Sequence, residues 1–272
     1  MRYRLRLREH TALRQLAHVA TLCICVATSN FIATESAVAQ TAGDEIALGD
    51  KATIARQPLQ ALTHFDAALK TEPQNYAALW KAAGASIDLG EGEANQKRRD
   101  SLYNSGSALA RRALEVDSNG ADGNFTMARA LGRTALSVGP RDRIKYGTEV
   151  RMRALKALAA DPKHPGAMHV MGAWNAEIMR LNSVTRFLAK TLLGGAIFST
   201  ASWASAEKYL TESVAIDPTR TVHRLDLARV YRDTDRNAEA RSAYEAALKC
   251  PLVDANDDMY RKQAADELRA LK

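Results

Sequence analysis

Residues 221–251 read TVHRLDLARVYRDTDRNAEARSAYEAALKCP, and this stretch decides the fold. It carries two apolar stripes: Leu225, Ala228, Val230 and Tyr231, then Ala240, Tyr244, Ala247 and Leu248. Apolar residues recurring every three to four positions line one face of an α-helix. Between the stripes lies a polar turn from Asp233 to Asn237, and Pro251 closes the unit because it cannot continue a helix. Small residues at Ala228, Ala240 and Ala247 let two antiparallel helices approach closely, while Tyr231 and Tyr244 fill the gaps. Such a pair cannot bury its apolar face alone, so it predicts neighbours of the same kind.

A helix pair of about 34 residues with this placement is the tetratricopeptide (TPR) pattern. Working outward, a first repeat has Leu48-Gly49, Ala61, Phe65, Ala68 and Pro73 at matching places. A second opens with Tyr76 to Trp80, reaches Leu89-Gly90, and resumes with Tyr103, Gly106, Ala110 and Ala113 before Asp117-Ser118. A third has Phe125, Ala128 and Leu131 on its helix A and Ala154, Ala157 and Leu158 on its helix B, with Gly139-Pro140 breaking the chain between them. A fourth has Met168, Met171-Gly172 and Ile178, then Tyr209, Val214 and Asp217-Pro218. The charged run from Glu91 to Asp100 reads as a loop between helices A and B. The apolar run from Phe187 to Phe198 reads as an insertion there, an extra helix folded over the solenoid or, in the alternative, a contact for a partner or a membrane surface. A last helix, capped by Asn256 or Asp257 and reaching Leu271, suits the end of a solenoid. The expected fold class is therefore all-α: a TPR-like right-handed α-solenoid of about five helix hairpins with irregular inter-helix insertions, over residues 40–272.

Composition agrees. The chain is 46% apolar but only 6% aromatic, which favours close-packed helices over a β-rich core. The net charge of +7 owes three units to the N-terminus, where Arg2, Arg4, Arg6, Arg8 and Arg14 face only Glu9 and Glu35. The remainder lacks the clustered basic stripe of a nucleic-acid binder. Residues 1–39 read as a signal peptide: a basic start, an apolar core from Leu16 to about Ala33, and Ala37-Val38-Ala39 as a small-x-small cleavage site. A mitochondrial transit peptide is the rival reading. Cleavage after Ala39 predicts a periplasmic or secreted protein starting at Gln40, with Cys250 its single cysteine and no transmembrane span in the mature chain.

The run from Leu79-Trp80 to Leu89-Gly90, followed by Arg111 to Asp117, resembles the regulator of microtubule dynamics family of TPR-like proteins. So do His169 to Trp174 and the apolar insertion that ends at Tyr209 to Pro218. The resemblance covers roughly residues 45–272. The family name implies microtubule association in eukaryotic cells; a chain with an export signal would not meet tubulin, which implies a bacterial, exported relative. The family offers no catalytic residues to carry over.

No zinc-protease, CxxC, phosphate-loop or nucleophile-elbow motif is present, so no catalytic residue, cofactor or metal is expected. Asp117 to Gly123 resembles a calcium loop, but Ala121 occupies a ligand place and Ala128 the place of the bidentate Glu, so an inter-repeat turn is expected. His164, Lys97-Arg98-Arg99 and the methionines Met168, Met171 and Met179 read as a satisfied histidine, a solvated run and core packing.

The candidate site comes from placement. Helix A lines the concave wall of a TPR array, at positions about one turn apart. That wall would show Trp80, then Phe125, Arg129 and Arg133, then His169, then Leu225, Arg229 and Arg232. Arginine forks between apolar places suit carboxylates on a protein or peptide partner. The alternative is that they pair with Asp226, Asp233, Asp235 or Glu177 of the chain itself. The leading expectation is a non-catalytic scaffold whose groove takes an acidic protein segment. Its rivals are a cytosolic microtubule-associated protein, and an envelope component that oligomerises through residues 187–198.

Overall fold

The computed structural model describes residues 41–271 apart from residue 137 and residues 182–194. Among the described residues it holds eleven α-helices, one 3-10 helix and no strand. Five antiparallel hairpins follow one another: α1 (Ala42–Ile54) with α2 (Pro58–Thr71), α3 (Tyr76–Gly92) with α4 (Gln96–Val116), α5 (Ala121–Ala135) with α6 (Pro140–Ala160), α7 (Pro165–Arg180) with α8 (Trp203–Ile216), and α9 (Thr221–Asp233) with α10 (Asn237–Leu248). A final helix, α11 (Asp257–Ala270), ends the array. The result is the TPR-like α-solenoid that the spacing predicts.

Local chemistry sets the boundaries. Thr41 and Asp44 form a capping box on α1, and the side chains of Asn75, Asn95 and Ser202 accept backbone N–H groups at the starts of α3, α4 and α8. Three inter-repeat turns share one device. The carboxylates of Asp117, Asp161 and Asp217 each accept the N–H two residues on, at 3.0, 2.9 and 3.1 Å. The stretch resembling a calcium loop is the first of these turns. The A–B turns of the first and last hairpins also match. Arg56 and Asp235 adopt φ of 61° and 59°, and the following N–H returns to Ala52 and Tyr231 at 2.9 Å. This left-handed C-terminal cap usually takes glycine.

Helices A and B cross closely at small residues. A Cβ on Gly49, Gly90 or Gly172 would lie 2.3 Å from Phe65, 2.5 Å from Tyr103 or 2.5 Å from Leu210. Ala128 and Ala228, both fully buried, fill comparable places in the third and fifth hairpins. The expected aromatic Tyr209 is off by one residue: Leu210 is fully buried against Gly172, while Tyr209 packs part-buried beside Met171.

The charged run from Glu91 to Asp100 is not a loop, because α3 continues to Gly92 and α4 begins at Gln96. The extra residues lengthen helices: α4 and α6 have 21 residues each, against 12 in α10. Of the apolar run from Phe187 to Phe198, residues 187–194 lie outside the described residues. Its end belongs to a 3-10 helix (Gly195–Thr200), where buried Phe198 stacks on Trp174 with ring centroids 5.9 Å apart. No helix among the described residues is long and apolar enough to cross a membrane.

The last helix does more than cover an end. Asn256 Nδ2 donates to the Asp88 carbonyl at 3.0 Å, and Arg56 Nε donates to the Asp254 carbonyl at 2.9 Å. Arg56 also pairs with Asp258. The start of α11 is thereby tied to the first two hairpins, about 170 to 200 residues earlier in the chain.

Candidate functional site

Two polar clusters lie where α11 meets the helix-A wall. The first is built on α3 and α5. Asp88 and Glu91, one turn apart on α3, face Arg129 and Arg133, one turn apart on α5. Arg129 donates to Asp88 and, at 2.8 Å, to Glu91; Arg133 Nε donates to Glu91 at 2.9 Å. The Tyr260 hydroxyl of α11 donates to the other Glu91 oxygen and lies 3.3 Å from Arg133 Nη2. The Glu91 side chain is only 3% exposed. Burial alone would raise its pKa, but the two guanidiniums and the tyrosine outweigh that and hold it at about 2. Asp88 shares only Arg129, so burial wins there and pushes it up to about 6.

The second cluster is built on α9, α10 and α11. Arg229 donates to Glu267 through Nη2 at 2.6 Å and Nε at 3.0 Å, and to Asp226 through Nη1 at 3.0 Å. Arg232 Nη1 donates to the second Glu267 oxygen at 2.8 Å, as does the Tyr244 hydroxyl at 2.8 Å. Burial opposes the charge on Glu267, yet these donors hold its pKa below the usual carboxylate range. Asp226 continues the network into α7 through His169 Nε2 at 2.8 Å, and the His169 ring stacks on His223 with centroids 4.7 Å apart. His223 Nδ1 lies 2.9 Å from the Ser213 hydroxyl, which donates to the Pro165 carbonyl at 2.9 Å. Burial forces the His223 pKa down to about 2, aided by His169 and Arg220.

All four predicted arginines therefore reach carboxylates, but carboxylates of this chain. Asp226 and Asp233 are among the partners, as the alternative expected, whereas Glu177 pairs with Arg180. One apolar place of the predicted groove is corrected, and the other two are half-buried. Leu225 is fully buried with Tyr244 and Tyr260, so it belongs to the core. Phe125 wedges over Gly166 and against the His164 ring at 4.7 Å, because only a glycine there leaves room for it. Trp80 is half-buried against the first hairpin's core, with Lys81 Nζ 5.4 Å from its ring. His164 is satisfied, its Nδ1 accepting the Ala167 N–H at 3.1 Å at the start of α7.

Sequence reading missed Asp88, Glu91, Tyr260 and Glu267. A signal existed for the last two. Tyr260 and Ala264 are four residues apart on one helix face, and Glu267 follows Tyr260 by seven, so the carboxylate sits at the edge of an apolar stripe.

The family model described as regulator of microtubule dynamics protein 1-3 matches residues 44–272. Regulator of microtubule dynamics protein 3 of Bos taurus is 27% identical over 186 residues, covering 68% of this chain and 39% of that protein. Regulator of microtubule dynamics protein 2 of Homo sapiens is 23% identical over 194 residues, covering 71% and 47%. The chain thus spans less than half the length of these relatives. Among solved structures, a thermophilic TPR protein of Thermus thermophilus aligns with a TM-score of 0.57 at 21% identity, covering 82% of this chain and 98% of that one. PilW, a type IV pilus biogenesis factor, aligns with a TM-score of 0.52 at 18% identity, covering 84% and 90%. These two likenesses concern the fold alone. The chain belongs to the regulator of microtubule dynamics family and carries a TPR-like fold.

Proposed function

We propose that this family member is a non-catalytic interaction scaffold, exported from a bacterial cytoplasm, whose helix-A wall grips a carboxylate-bearing segment of another protein. One observation carries the reading. Arg229, Arg232 and the Tyr244 hydroxyl converge from two helices on a single carboxylate, that of Glu267. Fork-shaped donors held in this way bind carboxylates with geometry as well as charge. The wall is thus built to take an acidic helix, and the chain's own α11 occupies it. Export rests on the pattern of residues 1–39, and N-terminal sequencing of the mature protein tests it: a start at Gln40 supports export, and retention of Met1 removes it.

The interaction is tested by capture from an envelope extract at low and high salt, using the wild-type chain and an Arg229→Gln/Arg232→Gln variant. The expected result is an arginine-dependent partner that leaves as salt rises, because partly exposed charges are screened. Capture that ignores both substitutions removes these arginines from the account.

Family membership favours a second reading, microtubule association in the cytosol, which the relatives' names suggest. Co-sedimentation of the purified chain with polymerised tubulin decides it; a chain left wholly in the supernatant sinks that reading.

A further inference from the structure

We infer that α11 is an exchangeable occupant of the wall, and that the partner is an acidic helix repeating its anchor spacing: a hydroxyl at one position and a carboxylate seven residues on. This rests on the scaffold reading above and adds what regulates the same surface.

The anchors on α11 are Tyr260, held by Glu91 and Arg133, and Glu267, held by Arg229, Arg232 and Tyr244. Seven residues are two helical turns, a rise of roughly 10 Å. Between them, fully buried Ala264 lets the helix lie close to the wall, and Gln263 accepts from Arg229 at 2.9 Å. The outward face carries a local trio in which Asp266 pairs with Lys262 and Arg269, and exposed Asp258 at the start of the helix pairs with Arg56. Specific polar groups thus face inward and generic charges outward, as a bound ligand would present them.

The balance of forces permits exchange. The buried residues of α11 are Asp257, Tyr260 and Ala264, whereas α3 buries eight, among them Leu79 and Ile87. Hydrophobic stabilisation follows apolar area removed from water, so α11 relies more on its polar anchors than the wall helices do. Replacing those anchors with equivalent ones from another helix changes the contact energy little. What favours α11 is its tether, which gives an effective concentration on the order of millimolar, together with the ties of Arg56 and Asn256 at its start. A free helix of the same kind therefore binds weakly until the tethered one is loosened.

The test uses the full chain and a fluorescein-labelled peptide of residues 254–271. A loosened chain, Tyr260→Phe/Glu267→Gln, keeps every wall residue. It should bind the peptide at least tenfold more tightly than wild type, and a peptide carrying the same two changes should bind at least tenfold more weakly to the loosened chain. Hydrogen exchange on the wild-type chain gives a second measurement that needs no variant. Saturating peptide should speed exchange of α11 amides while α9 stays protected. Failure of a loosened chain with native circular dichroism to bind the peptide overturns the inference, as does peptide binding that leaves α11 protected. If the loosened chain instead dimerises and excludes peptide, the exchange partner is a second copy and the foreign helix falls. Peptide exchange without arginine-dependent capture from extract rejects the scaffold reading instead; arginine-dependent capture without peptide exchange rejects only this inference.

Discussion

His223 shows how one side chain can tie pH to stability. It is 4% exposed, between the Ser213 hydroxyl and the His169 ring, with Arg220 nearby and Asp226 beyond His169. Its folded pKa of about 2 lies far below the unfolded value of about 6.5. Below pH 6.5 the unfolded chain gains a proton at this site and the folded chain does not. Its contribution is therefore complete above pH 6.5 and is lost as pH falls toward 2. At pH 5 the loss is about 2 kcal/mol. Asp88, raised to about 6, acts with the opposite sign over part of the same range. A comparison with His223→Phe cancels it. Urea unfolding at pH 7 and pH 5 should show wild type losing about 2 kcal/mol more than the variant; equal losses would exclude this assignment.

At the scale of elements, each hairpin depends on one close crossing. The Gly49→Ala substitution places a Cβ 2.3 Å from the Phe65 ring, so one of the two helices must move. Alanine gains about 1 kcal/mol of helix propensity over glycine, against an overpacking cost of about 1–3 kcal/mol. The variant should lose on the order of 1 kcal/mol, and adding Phe65→Leu should cost less than the sum of the two single changes. A thermal double-mutant cycle measures this; strict additivity would mean that the crossing is not set by this contact. Such crossings were legible in the sequence because small and bulky residues recur at fixed local spacing, as in Leu48-Gly49 with Phe65. The length of α3 was not. Glu91 reads as the edge of a loop because it opens a charged run, and the groups that hold it and Asp88, namely Arg129, Arg133 and Tyr260, lie about 40 to 170 residues away. The arginines were legible as carboxylate forks for the same local reason. Their partner Glu267 was hidden, since periodicity reveals which face of α11 is apolar and says nothing of the wall that receives it.

At the scale of the whole array, the return of α11 changes how the molecule should unfold. In an open solenoid each repeat contacts only its neighbours, so terminal hairpins fray independently. Here the first hairpin is joined to the last helix through Arg56 and the Asp254 carbonyl, and the second through Asn256 and the Asp88 carbonyl. Contacts that close the chain make fraying of α1 and α2 depend on α11 as well as on α3. An Arg56→Gly/Asn256→Ala variant opens this closure. Glycine suits the left-handed backbone of Arg56, so no strain is added there. Hydrogen exchange should then speed at least tenfold in α1 and α2 and in the first turn of α11, while α9 and α10 keep their protection. A uniform change would mean lost global stability rather than lost closure. Unchanged exchange in α1 and α2 would mean that α3 alone holds the first hairpin, and that the solenoid behaves as an open one despite its contacts.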